Sequence, residues 1–258
     1  MLSYARTAVD WVDLQLTYVI DGLARCAPSA RGRLLDVGCG DKPYEYLFTP
    51  YVTEYVGVEY GDSYAASSAG ARGKADVVYQ GDRMPFDDAS FDTVLNVQVL
   101  EHTSRPAELL CEMARVLKPG GLLIISVPFS FRLHEEPHDY FRYSPHGLRE
   151  LCARAGLELG PVEPQGGLWS LLAHKVNSYL AIRVARMTGA TQAIGKFGHE
   201  PSTASRMRAW TLPFVGPAVL FNSASARIFD RLLPDPTETL GYTAMARRVA
   251  DSTDKQLW

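Results

Sequence analysis

Three groups of residues in this chain have the types and spacing to do chemistry. Glu59 and Asp82 each follow a short apolar run. Carboxylates at the ends of buried strands accept charge-assisted hydrogen bonds from a ribose diol or from the exocyclic amine of a base. Glu101-His102 closes the apolar stretch that begins at Phe91, and an imidazole there can take a proton from a hydroxyl near neutral pH. The alternative for His102 is a helix-start histidine bonded to backbone. The third group is the run F-S-F-R-L-H-E-E-P-H-D-Y-F-R-Y at 129–143, with five aromatics, two histidines, three acids and two arginines. Such a loop stacks on a ring and hydrogen-bonds hydroxyls, which suits a sugar or another polar cyclic acceptor, and it serves equally as a structural lid. His138 and Asp139 are its candidate acid–base or acceptor-binding residues. His134-Glu135-Glu136-Pro137-His138 also matches H-E-x-x-H. That zinc signature needs both histidines on one helix face, and Pro137 removes a donor and disfavours helix at Glu136, so no metal is expected.

These groups need a scaffold that brings strand ends together. Arg33 to Tyr44, R-L-L-D-V-G-C-G-D-K-P-Y, supplies its centre: Leu34, Leu35 and Val37 form a short strand, and glycines at 38 and 40 let the following turn approach a ligand closely. In open α/β sheets ligands bind in the crevice beyond such strand ends. Further strands are expected at 55–59, 77–80, 91–96 and 122–127, with the last two at 157–162 and 239–249. Helices are expected at 3–27, from Ser104-Pro106 to Leu117, and from Ser144-Pro145 to Ala155. Residues 61–74 read as weak helix or loop, and Lys118-Pro119-Gly120-Gly121 as a helix stop. The alternation implies an α/β fold with a doubly wound, mainly parallel sheet. Helical patterns at 168–187 and 218–233, separated by a polar stretch at 188–209, form an insertion before the last strand.

A dinucleotide fold needs G-x-G-x-x-G, and Pro43 stands where the third glycine belongs, which disfavours NAD. The segments resemble instead the class I S-adenosylmethionine-dependent methyltransferases of the type 11-like group. Leu34 to Gly40 resembles the family's first motif, and Glu59 stands where its ribose-binding acid is expected. Gly81 to Phe86 with Phe91-Asp92 resembles the adenine-side segment, Asn96 to His102 the segment after the fourth strand, and Leu117 to Gly121 the turn before the fifth. Lys42 replaces the third glycine of the commoner G-x-G-x-G form. The resemblance implies a Rossmann-like, seven-stranded sheet and S-adenosylmethionine as cofactor. It assigns cofactor contacts to Asp36, Gly38, Cys39, Gly40, Glu59, Tyr60, Asp82, Arg83, Met84, Asn96, Val97 and Gln98, Met84 having core filler as its alternative. H-E-E-P-H-D-Y-F-R-Y-S-P-H-G-L further resembles a subgroup encoded with polysaccharide and glycolipid biosynthesis. That implies O-methylation of a sugar on a glycan, glycolipid or nucleotide-sugar-derived acceptor, with natural-product O- or N-methylation and a non-catalytic cofactor-binding subunit as alternatives.

The expected division is an N-terminal helix at 1–30, a cofactor-binding core at 31–164 and 237–250, and the insertion at 165–236. The chain has 258 residues, 47% hydrophobic and 21% charged, enough for a sizeable core. Its four cysteines are scattered singly, and no apolar run reaches the roughly 18 residues needed to cross a bilayer, so a soluble, cytoplasmic protein is expected. Net charge is −3, with +6 in 168–233 and therefore −9 in the remainder. The overall acidity and the lack of an N-P-P-Y-like tetrapeptide argue against nucleic acid as a partner. The basic insertion, with W-T-L-P-F-V-G-P-A-V-L-F at 210–221 too short and proline-broken to span a membrane, leaves three roles open. These are an acceptor lid, a homodimer contact, and peripheral contact with the inner membrane face.

Overall fold

A computed structural model of the chain describes residues 13–61, 74–187, 212–235 and 237–249. The alternating sequence pattern produces α1 (Leu14–Cys26), β1 (Arg33–Val37), α2 (Glu45–Phe48), β2 (Glu54–Tyr60), β3 (Val77–Tyr79) and β4 (Phe91–Val97). There follow α3 (Pro106–Val116), β5 (Leu117–Pro128), α4 (Pro145–Arg154), β6 (Leu157–Pro164), α5 (Leu168–Met187), α6 (Leu212–Leu232) and β7 (Gly241–Arg248). The expected segments 3–12, 62–73 and 188–209 lie outside the described residues.

The seven strands form one sheet in the order β3-β2-β1-β4-β5-β7-β6, mostly parallel with one antiparallel hairpin. Strands β1, β4 and β5 are the most buried, with Leu34, Leu35, Val94, Leu95, Ile124 and Ile125 at 0% exposure, as central parallel strands covered on both faces must be. Register fixes the position of the site. Val37 pairs with both Val58 and Asn96, and Asn96 with Ile125, so the carboxyl ends of four strands fall in one row. Gly38, Glu59 and Val97 are each the next residue.

Two local details differ from expectation. Lys118 to Gly121 does stop α3, yet it is part of β5. Phe91 pairs with Leu117 and Thr93 with Leu122, so the intervening residues are looped out, with Gly120 at φ +71°. Helix α6 begins before 218 and runs through Pro217. The N–H that Pro217 lacks would have reached Pro213 in the helix's first turn, so one bond is lost and the helix survives. The Ser144 cap of α4 is as expected: its hydroxyl accepts from the Gly147 N–H at 3.1 Å.

The chain divides into two compact units. One holds residues 22–128, 140–163 and 242–258, and with them almost the whole sheet; the other holds 1–21, 129–139 and 164–241. The second unit therefore takes in Phe129 to Asp139 and the start of α1 as well as the insertion. Its core packs Leu14 with Leu171, Ala173, Ala226 and Leu240. The Phe129 and Ser130 N–H groups both donate to the Leu240 carbonyl, at 2.9 and 3.1 Å.

Candidate functional site

The glycine turn hangs from the end of β2. The Gly38 and Cys39 N–H groups donate to the Val58 carbonyl at 2.9 and 3.3 Å. Gly38 has φ +76°, and a β-carbon there would lie 2.4 Å from Val99, so only glycine fits. Gly40 has φ +49°, and the space its β-carbon would enter is open. Its N–H donates to Glu59 Oε2 at 2.9 Å, while Glu59 Oε1 accepts from the Tyr60 N–H at 3.2 Å. One carboxylate thus ties the turn to the adjacent strand end. Cys39 is buried, and burial pushes its thiol up.

Lys42 takes the left-handed conformation that a third glycine would have taken, at φ +55°. Its Nζ lies 2.5 Å from Asp76 Oδ2, which also accepts from the Gly57 N–H at 2.7 Å. An ion pair in which Lys42 is buried and Asp76 is half exposed holds a backbone shape that lysine adopts at a cost of about 1–3 kcal/mol. Asp36 is 2% exposed and accepts from the Tyr55 hydroxyl at 2.6 Å. Burial pushes its carboxyl from 3.8 up to about 7, against the lowering effect of Tyr55. Between those values the folded chain holds a proton that the unfolded chain has released. Stability from protonated Asp36 is therefore whole below about 3.8 and lost as pH rises to about 7. Asp36→Asn escapes that loss, so its melting temperature relative to wild type should climb from pH 4 to 7 and level off above; thermal melts across that range check it.

The segment after β3 is held by Arg115 at the end of α3. Its guanidinium donates to the Phe86 carbonyl at 2.8 Å, the Met84 carbonyl at 3.0 Å and Asp88 at 2.7 Å, and pairs with Glu112 at 2.8 Å. Glu112 in turn accepts from the Met84 N–H at 3.0 Å. Met84 is 1% exposed, so its side chain packs as core. Asp82 pairs with Arg105, which holds its carboxyl below the usual range, and Arg83 pairs with Asp88 at 3.0 Å; all four side chains are exposed. Arg115→Ala removes the whole clamp. It should cost about 2–4 kcal/mol in a denaturant titration and should free Met84 to Asp88 to fast amide exchange.

At the end of β4, fully buried Asn96 donates to the Val37 carbonyl at 3.1 Å, and Val97 is 6% exposed. Asn96 therefore braces the turn from inside. Gln98 has φ +54°; its N–H donates to the Ser126 carbonyl at 2.9 Å and its side chain to the Ser126 hydroxyl at 3.1 Å. The chain then makes a short turn at Leu100–His102. Glu101 is fully buried, and its Oε1 lies 3.7 Å from His102 Nε2, whose side chain is 16% exposed. Tyr143 donates to the Leu100 carbonyl at 2.8 Å, and the Tyr140 N–H to the Glu101 carbonyl at 2.9 Å, fixing that turn. Tyr60, at 38% exposure, meets Tyr79 edge-on at 5.6 Å.

In the other unit, Asp139 has a 1% exposed side chain that accepts from the His134 N–H at 2.9 Å and faces His134 Nδ1 at 3.2 Å. It closes the loop on itself. His138 is exposed, and its N–H donates to the Glu135 carbonyl. Residues 134–138 form a turn and not a helix, so the two histidines share no helix face.

Residues 35–125, the stretch that builds the turn, the strand ends and the Leu100–His102 turn, match the family model for a methyltransferase domain. Over that stretch the chain is similar to a methyltransferase domain. Similar relatives include a protein of Mycolicibacterium smegmatis named a probable S-adenosylmethionine-dependent methyltransferase, 31% identical over 52% of this chain and 52% of its own. Another, from Mycolicibacterium paratuberculosis and named an uncharacterized methyltransferase, is 40% identical over 42% of this chain and 45% of its own. The chain thus spans about half the length of the curated relatives it matches. Among solved structures the [4+2]-cyclase SpnF aligns with TM-score 0.51 at 20% identity, covering 90% of this chain and 80% of its own. A Haemonchus contortus phosphoethanolamine N-methyltransferase in complex with S-adenosylhomocysteine aligns with TM-score 0.50 at 16% identity, covering 95% and 57%. Both share the fold.

A relative named a probable S-adenosylmethionine-dependent methyltransferase makes S-adenosylmethionine the cofactor against which these residues are tested. The residues present fit it: the space at Gly40 is open, a carboxylate stands at the end of β2, and left-handed backbone at 38, 40 and 42 opens the turn. Glu59 has the chemistry to hold the ribose diol, and Tyr60 beside it has an aromatic face for the ring.

Proposed function

We propose that the chain methylates a hydroxyl oxygen of a sugar, on a glycan, a glycolipid or a nucleotide-sugar-derived acceptor. The observation that carries this reading is the His102 ring beside the buried carboxylate of Glu101, in the segment that leaves β4 next to Gly38 and Glu59 in register. When bound, the cofactor supplies a methyl group on a positively charged sulfur.

Methyl transfer is an in-line displacement, so alignment of the acceptor supplies much of the rate, up to about 7–11 kcal/mol in ideal cases. His102 takes the proton from the acceptor hydroxyl as the oxygen attacks, and Glu101 is the ion-pair partner of the charged ring at 3.7 Å. The turn that carries both is braced by Tyr143 and the Tyr140 backbone, which keeps the base in place through the reaction. The glycan acceptor class rests on the resemblance carried by His134 to Leu148, and on the aromatics and hydrogen-bonding groups of that run. A fold shared with a cyclase does not name the chemistry, so turnover must. Release of S-adenosylhomocysteine, screened over nucleotide sugars, lipid-linked glycans and small phenols, should rise with a sugar acceptor. Turnover on phenols alone contradicts the sugar reading.

A further inference from the structure

Helices α5 and α6 each carry a buried face and an exposed apolar face. Toward their own unit they bury Leu171, Ala173, Val219 and Ala226 together with the polar side chains of Ser170, Asn177 and Ser223. These pair with one another and with their neighbours, Asn177 donating to Ser223 at 3.0 Å, Asn222 to Asn177 at 2.9 Å, and Tyr18 meeting Ser170 at 2.7 Å. Outward they show apolar ones. Leu172, Val176 and Tyr179, spaced four and three apart on one face of α5, are 48, 50 and 58% exposed. Phe221, Ile228 and Leu232, spaced seven and four apart on one face of α6, are 76, 55 and 69% exposed. An apolar stripe left this exposed on each of two packed helices marks an interaction surface.

Charge selects the partner. Across the two helices the bases Lys175, Arg183, Arg186, Arg227 and Arg231 stand against a single acid, Asp230. That acid is occupied, accepting from the N–H groups of Gly167, Trp169 and Ser170 at the start of α5. Lys175 is exposed one residue from Val176. Arg227 and Arg231, with Asp21 and Asp230, line a cleft of about 550 Å³ that Ile228 also lines, so these bases adjoin the apolar face. A second copy of this surface would bring like charges together. An anionic bilayer satisfies both the apolar face and the bases. No helix among the described residues is long and apolar enough to cross a membrane.

We infer that the outer faces of α5 and α6 dock the protein onto an anionic lipid surface, lying in the interface without spanning it. The inference stands apart from the proposed chemistry, since it concerns helices that supply none of the cofactor contacts.

The test is flotation of the full chain with phosphatidylcholine vesicles carrying 30% phosphatidylglycerol, against phosphatidylcholine alone, with sedimentation velocity run in parallel. Expected is partitioning at least tenfold stronger onto the anionic vesicles, falling about fivefold for each of Lys175→Glu and Arg231→Glu. Phe221→Glu with Leu232→Glu should abolish it while the melting temperature holds, and Phe221→Ser with Leu232→Ser serves if the glutamates impair folding. No anionic-vesicle binding overturns the inference, as does binding that the apolar variants leave unchanged. A stable dimer that Phe221→Glu dissociates overturns it too, making the face a self-interface.

Discussion

Glu59→Ala is expected to weaken S-adenosylhomocysteine binding about 100-fold in calorimetry. Two losses combine: the acceptor for the ribose diol, and the Oε2 contact at 2.9 Å that holds the Gly40 N–H. Hydrogen bonds to a charged group contribute about 1.5–3 kcal/mol each, and two partly independent ones reach that size. Glu59→Gln separates them. It keeps an acceptor for Gly40 but removes the charge, so its loss should be about tenfold. Glu59 is partly exposed at a strand end, so both variants should fold. Unchanged affinity in the alanine variant would remove Glu59 from the site.

His102→Ala should lower kcat by about 10²–10⁴, the range for loss of a general base, while S-adenosylhomocysteine affinity stays within about twofold. The split distinguishes a base from a brace. If His102 only supported the Leu100–His102 turn, its removal would disturb the Val99 side chain that packs over Gly38 and would weaken cofactor binding as well. The residual activity of the variant should rise with pH as hydroxide replaces the lost base. Glu101→Gln should give an intermediate loss in kcat by removing the carboxylate 3.7 Å from Nε2. Full turnover in His102→Ala would exclude it as the base.

The sheet and its central turn were legible because they are local and periodic. Apolar runs marked the strands, and Asp36-Val37-Gly38-Cys39-Gly40 marked the one place where backbone must turn tightly at a strand end. The row of strand ends then follows from topology, and the resemblance put Glu59 at the end of the second strand, while its bond to the Gly40 N–H is a finding of the structure. What stayed hidden are contacts between residues far apart in the chain. Asp76 holds Lys42 from 34 positions away, and Arg115 closes on Met84, Phe86 and Asp88 from about thirty. Neither shows a spacing rule, since loop length sets no register. Met84 is similarly instructive: its position in a resembling motif marks it as a ligand contact, while the clamp around it buries it. The grouping of Phe129 to Asp139 with the insertion depends on backbone bonds to Leu240 that no local pattern foretells.

The most direct measurement is calorimetric titration of S-adenosylhomocysteine into the wild-type chain, with NAD as the competing titrant. One site of micromolar affinity, indifferent to excess NAD, is expected from an open glycine turn tied to Glu59. No heat with S-adenosylhomocysteine, or displacement by NAD, would contradict the assignment of that turn.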